Sequence, residues 1–167
     1  MKLLIAAVGG SAGLLLAGCA GPETGLVLDP VGPPPAIVAH TDALTGSLVV
    51  YSAASANADF NSRDPYDQEY SDYRILSPEG KLLQRVHNDT GRSWDSPVVV
   101  CLSAGHYRVV ARANGCGLVT VPVVIEPNQT TTVHLDGDDL RPVKSAPGKT
   151  NSVCLPDGRW VGWRKNS

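Results

Sequence analysis

The chain has 167 residues, 43% hydrophobic and 18% charged, with a formal net charge of −2. That balance excludes the strong basic excess expected of a nucleic-acid-binding protein. The length suits one domain of ordinary size plus its flanking segments.

Lys2 is the only charge among the first 22 residues, and the 16 residues from Leu3 to Gly18 are all small or apolar. A basic start, an apolar run and a small-residue finish form the layout of a secretory signal. A membrane-spanning helix needs about 20 apolar residues, and five members of this shorter run are glycine or serine. No later segment has the length and apolarity to span a bilayer.

The run ends in Leu16-Ala17-Gly18-Cys19, which resembles the lipobox of bacterial lipoproteins. The resemblance implies that residues 1–18 are a signal peptide. It implies that the Cys19 thiol receives a diacylglyceryl group and becomes the first residue of the mature chain, so that the membrane is a partner through Cys19. Two or three acyl chains anchor stably where one binds marginally. Ala20 follows the cysteine, where an aspartate would signal inner-membrane retention in that family. The resemblance thus implies a cell-envelope location, outer membrane rather than inner, with the domain in or facing the periplasm or cell surface.

Residues 19–43 form the expected tether. Five prolines and three glycines fall between residues 20 and 39, and Pro33-Pro34-Pro35 favours polyproline II, a semi-rigid spacer. From residue 44 the pattern changes to short β-type runs. Leu48-Val49-Val50-Tyr51 comes first, then Tyr70 to Ser77, the turn Pro78-Glu79-Gly80 and Lys81 to Asn88. Val98 to Ser103 leads through Ala104-Gly105 into His106 to Ala113, which reads as a two-residue hairpin. In that pairing Leu102 opposes Tyr107, Val100 opposes Val109 and Val98 opposes Ala111, all on the core face. After Asn114-Gly115 come Cys116 to Glu126, the turn Pro127-Asn128 and Thr130 to Asp136. Pro122 inside a strand pattern predicts an edge or a bulge. Many short runs with closely spaced turns indicate an all-β sandwich or barrel, and no run has a 3.6-residue apolar period.

The span from Gly46 to Asp136 resembles the transthyretin-like, or carboxypeptidase-regulatory-like, β-sandwich. Leu102-Ser103-Ala104-Gly105-His106-Tyr107-Arg108-Val109, Val123-Val124-Ile125-Glu126 and Thr130 to Leu135 carry the likeness. Asn128-Gln129-Thr130-Thr131 lacks the glycine of the family's turn. The whole is similar to small bacterial lipoproteins that carry such a domain. The resemblance implies an antiparallel, seven- to eight-stranded Greek-key sandwich with little helix and no shared catalytic residues. The expected division is a signal at 1–18, a tether at 19–43, the sandwich at 44–140, and a linker with a C-terminal β-hairpin packed on the sandwich at 141–167. Pro156-Asp157-Gly158 turns that hairpin, and Trp160 and Trp163 are expected to pack it against the sandwich, with binding as their alternative role.

Chemistry-bearing motifs are scarce. His40, His87, His106 and His134 lack metal-ligand spacing, and Asp136-Gly137-Asp138-Asp139 lacks the alternating ligands and distal glutamate of a calcium loop. No nucleophile elbow or Cys–His signature occurs after Cys19. Neither a cofactor, a metal nor catalytic residues are therefore expected. The polar segment 57–73 carries Phe60, Tyr66, Tyr70 and Tyr73, and long loops on a rigid sandwich often bind. Tyr66, Tyr70 and Trp94 are the candidate ligand-binding residues, for an envelope protein or a glycan. The plainer alternative has Tyr70 and Tyr73 starting a strand and filling the core.

Cys101, Cys116 and Cys154 follow Cys19, and export permits disulfides. An odd count leaves one thiol unpaired in a monomer. A Cys116–Cys154 bridge would staple the C-terminal hairpin and add roughly 3–4 kcal/mol by closing a loop of about 38 residues. Cys101–Cys154 is the competing pairing.

Overall fold

The structure is a computed structural model and describes residues 25–35, 44–56, 68–88, 97–137 and 151–165. In chain order its strands are β1 (Leu26–Val27), β2 (Val31–Gly32), β3 (Thr45–Tyr51), β4 (Ala54–Ala56), β5 (Gln68–Tyr70), β6 (Tyr73–Leu76) and β7 (Leu82–Val86). Then follow β8 (Val99–Ser103), β9 (Gly105–Ala113), β10 (Gly117–Ile125), β11 (Thr130–His134), β12 (Ser152–Cys154) and β13 (Trp160–Arg164). The described residues contain no α-helix.

The longest pair is β9 with β10, antiparallel over nine residues each. Alternation sends Val119, Val121, Val123 and Ile125 inward with Val109 and Ala111, each at 2% exposure or less. A buried valine is worth about 1.5–3 kcal/mol over an exposed one, and a one-residue slip would turn the whole set to water. Gly115 sits in the joining turn at φ 76°, a conformation glycine adopts without a Cβ penalty.

Around this pair the larger sheet runs β12-β13-β2-β10-β9-β6-β7, with β1 also on β10. The smaller sheet runs β11-β3-β8, and β4 pairs with β5 separately. Leu48, Val50, Val100 and Val133 of the smaller sheet share one core with the inward residues of the larger. The fold is therefore all-β and sandwich-like. Asn88, fully buried, stitches its layers. Its Nδ2 donates to the Val50 carbonyl at 2.9 Å and to Ser52 Oγ at 3.0 Å, and its Oδ1 accepts the Val98 N–H at 3.0 Å.

The sheets are mixed, which corrects the antiparallel expectation and its count of seven or eight strands. β1 and β2 run parallel to β10, and β11 runs parallel to β3. Antiparallel neighbours announce themselves through a short turn; parallel partners need long crossovers and leave no local signature. The same finding corrects the tether. Leu26–Val27 and Val31–Gly32 lie within the expected spacer, yet they are strands, and Val31 is fully buried.

The expected hairpin at Ala104-Gly105 is also corrected. β8 pairs with β3 in the smaller sheet, whereas β9 pairs with β6 and β10 in the larger. The chain changes sheets there, and Tyr107 Oη donates to the Ser103 carbonyl across the corner at 3.0 Å. Val100 and Val109 both still reach the core, at 6% and 0% exposure. The alternation is the same whether two strands pair or face each other across a core. The turn that lacks glycine is met by Asn128 at φ 54° after Pro127, with Gln129 N–H bonded to the Glu126 carbonyl. Proline followed by a positive φ is the type II pattern. Pro122 is interior, not on an edge. It pairs with Arg108 on one side; on the other, the partners of β10 jump from Thr120 with β1 to Val123 with β2. Its missing N–H falls in that interruption.

The hairpins at Pro78-Glu79-Gly80 and Pro156-Asp157-Gly158 form as their turn signals require, with Gly80 at φ 93° and Gly158 at φ 91°. The C-terminal hairpin does not lie on the sandwich as an added layer. It extends the larger sheet through β13 and β2. A Cβ on Gly162 would come within 2.5 Å of Val31 Cγ1 and 3.0 Å of the Thr132 carbonyl. Glycine at this point lets β13 pass close to β11.

Candidate interaction surface

Strand alternation places Tyr51 at the end of β3 and His134 at the end of β11 on the outer face of the smaller sheet. They are register partners. Their rings stack at 4.7 Å with planes 5° apart. On His134 in turn lies Trp160 of β13, at 5.0 Å and 32°. Trp163 meets Trp160 edge-on at 6.5 Å, and Tyr70 meets Tyr51 edge-on at 5.8 Å. Five rings from both sheets and β5 thus form one row. Each such pair adds about 0.5–1.5 kcal/mol beyond its buried area.

This row answers several sequence expectations. Tyr70, a candidate ligand contact, is 5% exposed and turned to Tyr51, because β4–β5 folds it back over the end of β3. Tyr73 is a core residue at 2% exposure, and desolvation pushes its hydroxyl well above the ordinary tyrosine range. Tyr66, Trp94 and Phe60 lie outside the described residues, as do Cys19 and His40. The contacting faces of Tyr51 and His134 are used by each other. The row therefore clasps β13 to the edge of the smaller sheet, and Tyr51, His134, Trp160 and Trp163 are each half-buried in it.

Beside the row sits a second clasp. Arg159 Nη2 donates to Asp157 Oδ2 at 2.6 Å, to the Asn114 carbonyl and towards Cys116 Sγ at 3.9 Å. The Cys116 thiol points at Asp157 Oδ2, 3.8 Å away. Hydrogen bonds from Arg159 hold the Asp157 carboxyl below the usual carboxylate range, and Asp157 raises Arg159 in return. Cys101, Cys116 and Cys154 are free thiols here, and only Cys116 is part-buried. Polar contacts of Arg159 and Asp157 thus join the turn of Cys116 to the turn of the C-terminal hairpin, while Cys154 lies exposed at the end of β12.

The histidines and acids stay apart. His87 bonds Asp72 at 2.8 Å on the surface, His106 is exposed on β9 and His134 belongs to the ring row. Among the described residues no group of histidine, cysteine and acids is arranged to hold a metal. Asp136 is 8% exposed, and its carbonyl accepts from Asn114 Nδ2; Asp138 and Asp139 lie outside the described residues.

Comparison with family models, with curated proteins and with solved structures finds no match to this chain. Sequence reasoning missed Tyr51 and Arg159 as contact residues. Alternation places Tyr51 outward, but its partner across a parallel ladder carries no local signal.

Proposed function

We propose that this chain is a lipid-anchored lipoprotein of the cell envelope, presenting a non-catalytic β-sandwich as a structural or protein-interaction module. The observation that carries the reading is Leu16-Ala17-Gly18-Cys19 at the end of a short apolar run behind Lys2. The absence of aspartate after Cys19 favours the outer membrane. A rigid layered domain with ring and arginine clasps at one margin suits a module that presents surface and makes no bonds. We assign the sandwich to the transthyretin-like, Greek-key kind. The Tyr107–Ser103 corner, where the chain changes sheets within the Leu102–Val109 segment, supports that assignment.

The test is in-cell crosslinking with mass spectrometry on the native protein, with Cys19→Ser as control. The expected result is an acylated Cys19 at the mature N-terminus and crosslinks to one dominant protein, lost in the control. An acylated Cys19 without protein crosslinks transfers the reading to glycan binding. An unacylated Cys19 overturns the anchor.

A further inference from the structure

The net charge of −2 hides a segregated basic face. On the outer side of the larger sheet, Arg74 of β6 stands directly across from Arg85 of β7. Arg108 and Arg112 of β9 flank Val110, the partner of Arg74 on the other side, and alternation gives them its face. Like charges opposed on neighbouring strands destabilise a sheet. Among the described residues Arg85, Arg108 and Arg112 make no ion pair. Among the described residues the acids near these arginines are Asp72, which bonds His87 and shares a groove with Arg74, Arg85 and Arg112, and Glu79, within reach of the Arg108 charge. Two grooves, of about 310 and 210 Å³, run between the arginines, and Val110 lines both. Such a face is built for an anion.

The route of the chain says which anion. β1 pairs along β10 from Leu26 opposite Val119, and a Cβ on Gly25 would touch the Leu118 carbonyl at 2.8 Å. Leu118 is the register partner of Arg112 and lines the second groove. The chain therefore joins the sheet one strand away from the arginines. From Cys19 to Gly25 is six residues, a reach of at most about 20 Å. Val27, paired with Thr120 and 67% exposed, lies at the same rim.

We propose that this arginine face is a second membrane contact, laid against the anionic phosphate headgroups of the bilayer that holds Cys19. The proposal rests on the lipid-anchor reading. Acyl chains supply the affinity and basic residues near the surface add to it, so the pair of signals decides which face of the domain meets the bilayer.

The test separates the two readings. The mature chain from residue 19, carrying Cys19→Ser and so lacking lipid, is sedimented with vesicles. One set is equimolar phosphatidylglycerol and phosphatidylcholine; the other is phosphatidylcholine alone. The expected result is binding to the anionic vesicles only, weakening as salt rises. Arg108→Gln with Arg112→Gln should weaken it roughly thirtyfold, and lysine at both positions should retain most of it. Thermal melting confirms that both double variants are folded. No binding, equal binding to both vesicle types, or full binding by the glutamine variant overturns the proposal. Acylation of Cys19 is read separately on the native protein, so either reading can fail alone.

Discussion

The ring of His134 lies flat on that of Tyr51, 4.7 Å away, and joins the last residues of two parallel strands. Trp160, from a strand of the opposite sheet, also meets the His134 ring, at 5.0 Å and a tilt of 32°. The stack is thus a joint between sheets. Replacing either Tyr51 or His134 by alanine should destabilise the domain by about 1–2 kcal/mol. A double-mutant cycle measured by urea unfolding should return a coupling of about 0.5–1.5 kcal/mol. A coupling of zero would show that the rings merely lie near each other.

Asn88 reaches three partners from a fully buried position. Asn88→Ala would leave the Val98 N–H and the Val50 carbonyl without its amide. An orphaned buried group costs about 1–3 kcal/mol, so the loss should be about 3 kcal/mol. Chemical denaturation should show it as a lower midpoint with an unchanged slope. Asn88→Asp should not rescue, because a carboxylate cannot donate to Val50.

Asp157 should give the clasp a pH dependence. Hydrogen bonds from Arg159 hold its carboxyl below the ordinary aspartate range. A depressed folded-state pKa stabilises the fold above the unfolded pKa, and that contribution disappears as pH falls through the folded value. The melting temperature of the native chain should therefore exceed that of Asp157→Asn at neutral pH. The two should converge under strong acid, below the ordinary carboxylate range. Both groups face solvent, so the gap should be small and should shrink in salt. A gap that widens on acidification would contradict this sign.

Gly162→Ala should separate β13 from β11. The added carbon meets Val31 Cγ1 at 2.5 Å and the Thr132 carbonyl at 3.0 Å, and backbone cannot move aside as a flexible side chain does. Overpacking of this kind costs about 1–3 kcal/mol. Trp160 should also become more solvated, which a red shift in tryptophan emission would report. An unshifted spectrum with unchanged stability would place the close approach elsewhere.

What the sequence determined by itself was local. Alternation put Val119, Val121, Val123 and Ile125 inside, and the turns at Gly80, Gly115 and Gly158 were readable because glycine enters them at positive φ. These features depend on residues close together in the chain. Tertiary structure decided which strands are neighbours. Val100 and Val109 have the same burial in a hairpin or across a core, so only the complete fold could assign β8 and β9 to different sheets. The parallel strands β1 and β2 lay unseen within a proline-rich segment, and the ring row and arginine face appeared only when distant strands came into register. Hydrophobic patterning says how much of each strand is buried, while pairing depends on long-range packing that no short stretch of sequence encodes.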